Sequence, residues 1–132
     1  MALDLQDSTT GTRGRDDLLL QKITGDLVAY RLVESNPPIA RDFQSHYERG
    51  DRPNPTQHYK AFDWLGVSMF TQRNRVESFV QRARASGRPA WLAEVRLVRG
   101  HGMYVIYNSK TTHLEVFGFP QVLLGLVDHI DD

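Results

Sequence analysis

Apolar residues enter this chain in short runs set apart by polar, glycine-bearing and proline-bearing stretches, and the period of each run predicts an element. Residues 26–34, DLVAYRLVE, are dominated by β-formers and are apolar on both alternating sets, which predicts a strand in the interior of a sheet. Arg31 falls inside that run, on the side of Leu27, Ala29 and Val33. After Asn36, Pro37 and Pro38, the residues Ile39, Phe43 and Tyr47 recur every fourth position before Gly50, the spacing of a short amphipathic helix opened by prolines. Residues 51–63, with Pro53 and Pro55, cannot continue that helix and read as a loop or crossover. A loop this long is often functional, and it carries His58 and Tyr59.

Residues 64–70, WLGVSMF, predict a second strand, and Thr71 then caps a helix running to about Ser86, where Gly87 and Pro89 stop it. The stripe of that helix is Val76, Phe79, Val80 and Ala83. Residues 90–98 alternate, with Trp91, Ala93, Val95 and Leu97 on one side and Glu94 and Arg96 on the other, as in a half-exposed strand. A turn at His101-Gly102 leads to a strand over 103–107, and a turn over 108–110 to a strand over 111–117. In the last of these Thr112, Leu114 and Val116 share the core side, while His113 and Glu115 share the other. Gly118-Phe119-Pro120 breaks the strand, and residues 121–130 read as a closing helix before an acidic tail. The order β-α-β-α-β-β-β-α predicts an α+β fold: a split, mostly antiparallel sheet with flanking helices. Residues 1–17, rich in Ser, Thr, Gly and charge, read as a flexible leader that a partner protein could order, and residues 18–132 as a single domain.

Composition narrows the chemistry. With 132 residues and 40% hydrophobic content the chain suffices for one core, and 16 basic residues against 16 acidic ones leave no global field toward nucleic acid or membrane. The absence of cysteine removes disulfides, thiolate metal sites and cysteine nucleophiles, and agrees with a cytoplasmic protein. No apolar stretch approaches the roughly 20 residues that span a bilayer. His46, His58, His101, His113 and His129 are scattered without metal-ligand spacing, so no metal is expected, and neither a Walker loop nor GxGxxG occurs. Ser68 lacks the GxSxG elbow of a serine hydrolase.

Three residues invite a chemical reading. A guanidinium at Arg31 among apolar neighbours needs an anionic partner, which is either a structural carboxylate such as Glu94 or Glu115 or a bound anion. Ser68 has Trp64, Gly66 and Phe70 on its side, an aromatic-walled floor with space above Gly66, or else is a small residue in a packed sheet. Glu115 and His113 point the same way, as a pair able to stabilise cationic character or as a solvated strand face.

These residues follow the order Arg, Ser, Glu on three separate strands, with a helix directly after the middle one. In that order the chain resembles the ADP-ribosyltransferase fold of the arginine-serine-glutamate class, over about residues 27–127. The matching positions are Tyr30-Arg31, Gly66-Val67-Ser68-Met69-Phe70 and His113-Leu114-Glu115. The resemblance implies that Arg31 holds a phosphate of NAD, that Ser68 supports Glu115 and the nicotinamide ribose, and that Glu115 steadies the oxocarbenium-like ribose as nicotinamide leaves. It places Tyr30, Phe70 and His113 beside Arg31 and Ser68 in the NAD site, with NAD as substrate and a protein or nucleic acid as acceptor. The serine strand reads GVSMF where the class has Ser-Thr-Ser, and His113 stands where it has Glu or Gln.

Two other readings stay open. Across residues 73–99 seven arginines (Arg73, Arg75, Arg82, Arg84, Arg88, Arg96, Arg99) face two glutamates (Glu77, Glu94), a local excess of five. Such a patch either covers core edges with arginine stems or contacts nucleic acid or an acidic protein in a non-catalytic binding module. The third reading is a protein-interaction or regulatory domain that docks through the leader.

Overall fold

The computed structural model describes residues 3, 5, 6, 20–50 and 65–131. The leader beyond Gln6 up to residue 19, the predicted loop over 51–63 with His58 and Tyr59, and Trp64 at the start of the second predicted strand lie outside the described residues. Seven strands form one sheet: β1 (Gln21–Lys22), β2 (Leu27–Val33), β3 (Val67–Phe70), β4 (Trp91–Leu97), β5 (Tyr104–Asn108), β6 (His113–Phe117) and β7 (Val127–Asp131). Their spatial order is β1-β5-β6-β3-β2-β4-β7, and every pairing is antiparallel. Among the described residues, the α-helices α1 (Arg73–Ala85) and α2 (Pro120–Gly125) flank it. The α+β class and the antiparallel sheet with flanking helices follow the hydrophobic pattern. Among the described residues no helix is long and apolar enough to cross a membrane.

β2 is central because both its alternating sets are apolar. Ala29 and Val33 pack with Val67, Met69, Ala93, Val95, Leu97, Leu114 and Val116 on one side of the sheet, together with Phe43, Met103 and Leu123. Tyr30 and Leu32 face the other side, where Val76, Val80 and Ala83 of α1 close a second cluster with Ala90 and Leu92. β3, α1 and β4 form a crossover in which β2 lies between the two strands, so α1 packs over β2. Helix α1 ends where Gly87 takes φ +79°, with the Gly87 amide on the Arg84 carbonyl (3.0 Å) and the Arg88 amide on the Ala83 carbonyl (3.0 Å). This is the paired bonding of a glycine-terminated helix. Near the N-terminus, Leu3 and Leu5 pack on the larger cluster, and the Leu3 amide bonds the Asp26 carbonyl at 2.8 Å.

Two predicted helices turn out otherwise. The repeat Ile39, Phe43, Tyr47 does not form an amphipathic helix: a 3-10 turn covers only Ala40–Phe43. Phe43 is buried, while Ile39 and Tyr47 stay about half exposed. The reason is Asp42, 3% exposed, whose carboxylate accepts the amides of Glu34 (2.9 Å) and Ile39 (2.9 Å) and so holds the turn by side-chain bonding that competes with helix propagation. Ser45 and Glu48 then exchange side-chain bonds with each other's amides, at 2.9 Å and 3.1 Å, which starts a new turn. The closing helix of residues 121–130 stops at Gly125, and Val127–Asp131 becomes β7. The outer edge of β4 supplies a ladder for those residues, and tertiary pairing overrides their helical spacing.

Candidate functional site

The Arg-Ser-Glu cluster lies where β2 and β3 meet, and the junction is narrow. The two strands are registered only at Tyr30 opposite Phe70, whereas β2 and β4 are paired along the whole of β2, from Leu27 opposite Leu97 to Val33 opposite Trp91. Beyond Tyr30 the Arg31 side chain fills the junction. Its Nε donates to the Asp42 carbonyl at 2.7 Å and its Nη1 to the Ser68 carbonyl at 2.6 Å. The guanidinium therefore ties β2, the 3-10 turn and β3 together through main-chain oxygens. Burial in this setting, and then the neighbouring Arg49, push its pKa down to about 10, while Asp42, Glu115 and Glu34 act in the opposite direction. It remains charged at neutral pH.

The sequence pointed to Glu94 or Glu115 as partners of Arg31. Glu94 stands opposite Tyr30, on the other side of the sheet from Arg31, so it is not the partner. Asp42 is close, but its carboxylate oxygens serve two main-chain amides and it offers Arg31 its carbonyl. The remaining guanidinium donors border a cavity of about 30 Å³ lined by Arg31, Gln44, Ser45, His46, Arg49, Gly66 and Ser68. Arg49 is anchored by Nη2 to the Arg41 carbonyl at 3.0 Å and stands 3.9 Å from Glu34. Two guanidinium groups thus border one small cavity, with the carboxylates of Asp42, Glu115 and Glu34 acting on Arg31.

Across β3 the second half of the site is built by register. Ser68 pairs with Glu115 and Phe70 with His113, so the side chains of Ser68, His113 and Glu115 share the side of the sheet opposite the origin of Arg31. Ser68 Oγ lies 2.7 Å from His113 Nε2, which is 3.1 Å from Glu115 Oε1. Both oxygens lie within hydrogen-bond reach of Nε2, whose donor or acceptor role is set by the tautomer. One ring nitrogen serves both partners. A serine-histidine-acid relay uses both nitrogens, so this arrangement is not one. The His113 ring meets Phe70 edge-on at 5.2 Å, and Phe70 meets Phe79 at 5.3 Å.

Glu115 is 3% exposed, which removes the solvated-face reading. The space expected above Gly66 is occupied by Glu115 itself: a methyl group on residue 66 would come within 2.5 Å of Glu115 Oε2 and 3.3 Å of Phe117 Cε1. Residue 66 must be glycine for the carboxylate to lie there. Tyr30 packs on the α1 cluster beside Phe70. Arg31, Ser68 and Glu115 are brought together, although Arg31 reaches the seam from the opposite side of the sheet.

Asp42 and Arg49 escaped the sequence reading. The signal for Asp42 was a carboxylate three residues after Ile39 at the start of a predicted helix, the position of a capping acid. For Arg49 no periodicity marks the approach to Arg31. The arginines of residues 73–99 are partly spent within the fold: Arg73 pairs with Asp131, Arg96 stands 3.8 Å from Asp128, and Arg84 Nε donates to the Ala90 carbonyl at 2.7 Å. No protein family, curated protein or solved structure matches this chain.

Proposed function

We propose that this chain is an ADP-ribosyltransferase-like protein that takes NAD at the β2–β3 seam, cleaves the nicotinamide-ribose bond and passes ADP-ribose to a macromolecular acceptor in the cytoplasm. The observation that carries the reading is the meeting of an arginine, a serine and a buried glutamate from three strands at one junction. Support for the phosphate role comes from Arg31, whose guanidinium is fixed by two carbonyls and bordered by Arg49. A phosphate there gains charge-assisted bonds of about 1.5–3 kcal/mol each.

The role of Glu115 is electrostatic. As the C–N bond breaks, its electron pair leaves with nicotinamide and positive charge grows on the ribose carbon. A buried carboxylate held in place by His113 stabilises that charge mainly in the transition state. The acceptor nucleophile then bonds to the carbon and loses its proton. His113 acts as a positioning residue, because its Nε2 lies within reach of both the carboxylate and the serine oxygen.

Calorimetric titration with NAD, paired with chromatography of released nicotinamide, tests this on the wild type, Arg31→Ala and Glu115→Gln. Binding that Arg31→Ala weakens, with release that Glu115→Gln abolishes at unchanged affinity, is the expected result. Failure of the folded wild type to bind millimolar NAD would sink the proposal.

A further inference from the structure

A groove away from the seam runs between the C-terminal half of α1 and β2, with a volume of about 330 Å³. That is at the lower end of the size range of small-molecule sites, about 300–1,000 Å³. Leu32, Phe79, Ala83 and Pro89 give it an apolar lining, and Arg82, Arg88 and Glu34 bring charge to it. Phe79, Arg82 and Ala83 are three and four residues apart, so α1 presents them on one face. Ala83 is the reason the groove exists. It occupies a stripe position that is buried, but its methyl group leaves open the volume that a larger side chain would fill.

The arginines are placed by separate devices. Arg82 lies over the Phe79 ring at 5.2 Å, which holds its guanidinium against the apolar floor. Arg88 follows Gly87, whose left-handed conformation turns the chain back so that Arg88 and Pro89 form the far wall. Glu34 lies 3.9 Å from Arg49, which draws its charge toward the seam and leaves the groove net cationic. An apolar slot with a phenyl wall, bordered by two guanidinium groups, matches a flat hydrocarbon body carrying one anionic group.

We infer that this groove is a second binding site, for a small aromatic carboxylate whose ring lies between Phe79 and Pro89 over Ala83 and whose carboxylate meets Arg82 and Arg88. It is independent of the NAD reading, since it shares no side chain with Arg31, Ser68 or Glu115.

The probe is 2-naphthoate, titrated into the full chain by chemical-shift mapping and ligand fluorescence, with neutral 2-naphthamide of the same shape as control. Naphthoate binding should exceed naphthamide binding by about tenfold or more, the worth of one charge-assisted hydrogen bond. Arg82→Gln and Arg88→Gln, both at exposed positions, should each remove most of that preference. Ala83→Leu, which fills the slot with a good helix former, should abolish binding of both ligands. Shifts should centre on residues 79–89. Equal affinity for naphthoate and naphthamide, binding unchanged by the glutamine substitutions, or no binding at millimolar naphthoate overturns the inference. Were Ala83→Leu to unfold the chain, the two arginine variants would still decide.

Discussion

Replacing Gly66 by alanine tests the packing that holds Glu115 in the site. The added methyl would approach Glu115 Oε2 to 2.5 Å, Glu115 Cβ to 3.2 Å and Phe117 Cε1 to 3.3 Å. Overpacking of this kind costs about 1–3 kcal/mol, while the loss of glycine freedom from the unfolded chain returns about 0.4–1 kcal/mol. The net expectation is a loss of about 1–2 kcal/mol, which lowers the melting temperature by roughly 4–8 °C for a domain of this length. The carboxylate is the nearest obstacle, so shortening it should relieve much of the strain. Glu115→Asp in the Gly66→Ala background should therefore cost about 1 kcal/mol less than the two single changes added together. The assay is urea unfolding followed by circular dichroism for the wild type, both single variants and the double variant, with thermal melts in parallel. A Gly66→Ala protein that melts within 1 °C of the wild type, or a cycle that is additive, would refute the placement of the carboxylate over residue 66.

Arg31→Met should destabilise by about 2–3 kcal/mol in urea unfolding, since the carbonyls of Asp42 and Ser68 lose their donor, and Arg31→Lys should restore less than half because one ammonium cannot span both. Because the folded pKa of Arg31, about 10, lies below its ordinary unfolded value, its contribution is flat below pH 10 and rises above it by up to about 1.4 kcal/mol per pH unit. The stability difference between wild type and Arg31→Met should accordingly widen from pH 9 to pH 11, and a constant difference would contradict the assignment. Thr112 takes φ 59° and buries a hydroxyl with no hydrogen-bond partner among the described residues, so Thr112→Gly should gain about 1 kcal/mol and raise the melting temperature by roughly 4 °C; a loss would show that its methyl packing outweighs both penalties. Asp42→Ala, which deprives the amides of Glu34 and Ile39 of their acceptor, should cost about 2–4 kcal/mol and accelerate amide exchange at those two residues.

Much of the sheet was legible because burial writes itself into alternation. The doubly apolar run around Tyr30 marks a central strand, and Leu114 and Val116 mark a core side opposite His113 and Glu115. The stripe Val76, Val80, Ala83 and the stop at Gly87 give α1 nearly to the residue. What failed to show were decisions made between distant segments. Ile39, Phe43 and Tyr47 have helical spacing, but Asp42 spends its carboxylate on local amides, and no periodicity reports that. Val127 and Ile130 suit either a helix or a strand, and the open edge of β4 decides. At the site, alternation placed Ser68, His113 and Glu115 on their strand sides, but not the burial of Glu115, which depends on Gly66 yielding its space. Nor did it reveal that Arg31 would donate to the carbonyls of Asp42 and Ser68.

The way Arg31 bridges β2 and β3 divides the sheet into two leaves, β1-β5-β6-β3 and β2-β4-β7, hinged on a single registered pair and one guanidinium. Within each leaf, opening a strand breaks a run of ladder bonds. Between the leaves the ladder is reduced to one pair and the Ser68 tether, and the shared core of Ala29, Val33, Val67, Met69, Leu114 and Val116 holds them together. An anion that competes for the donors of Arg31 would at the same moment loosen the two leaves, and occupancy of the seam would then be felt as far away as the outer strands β1 and β7.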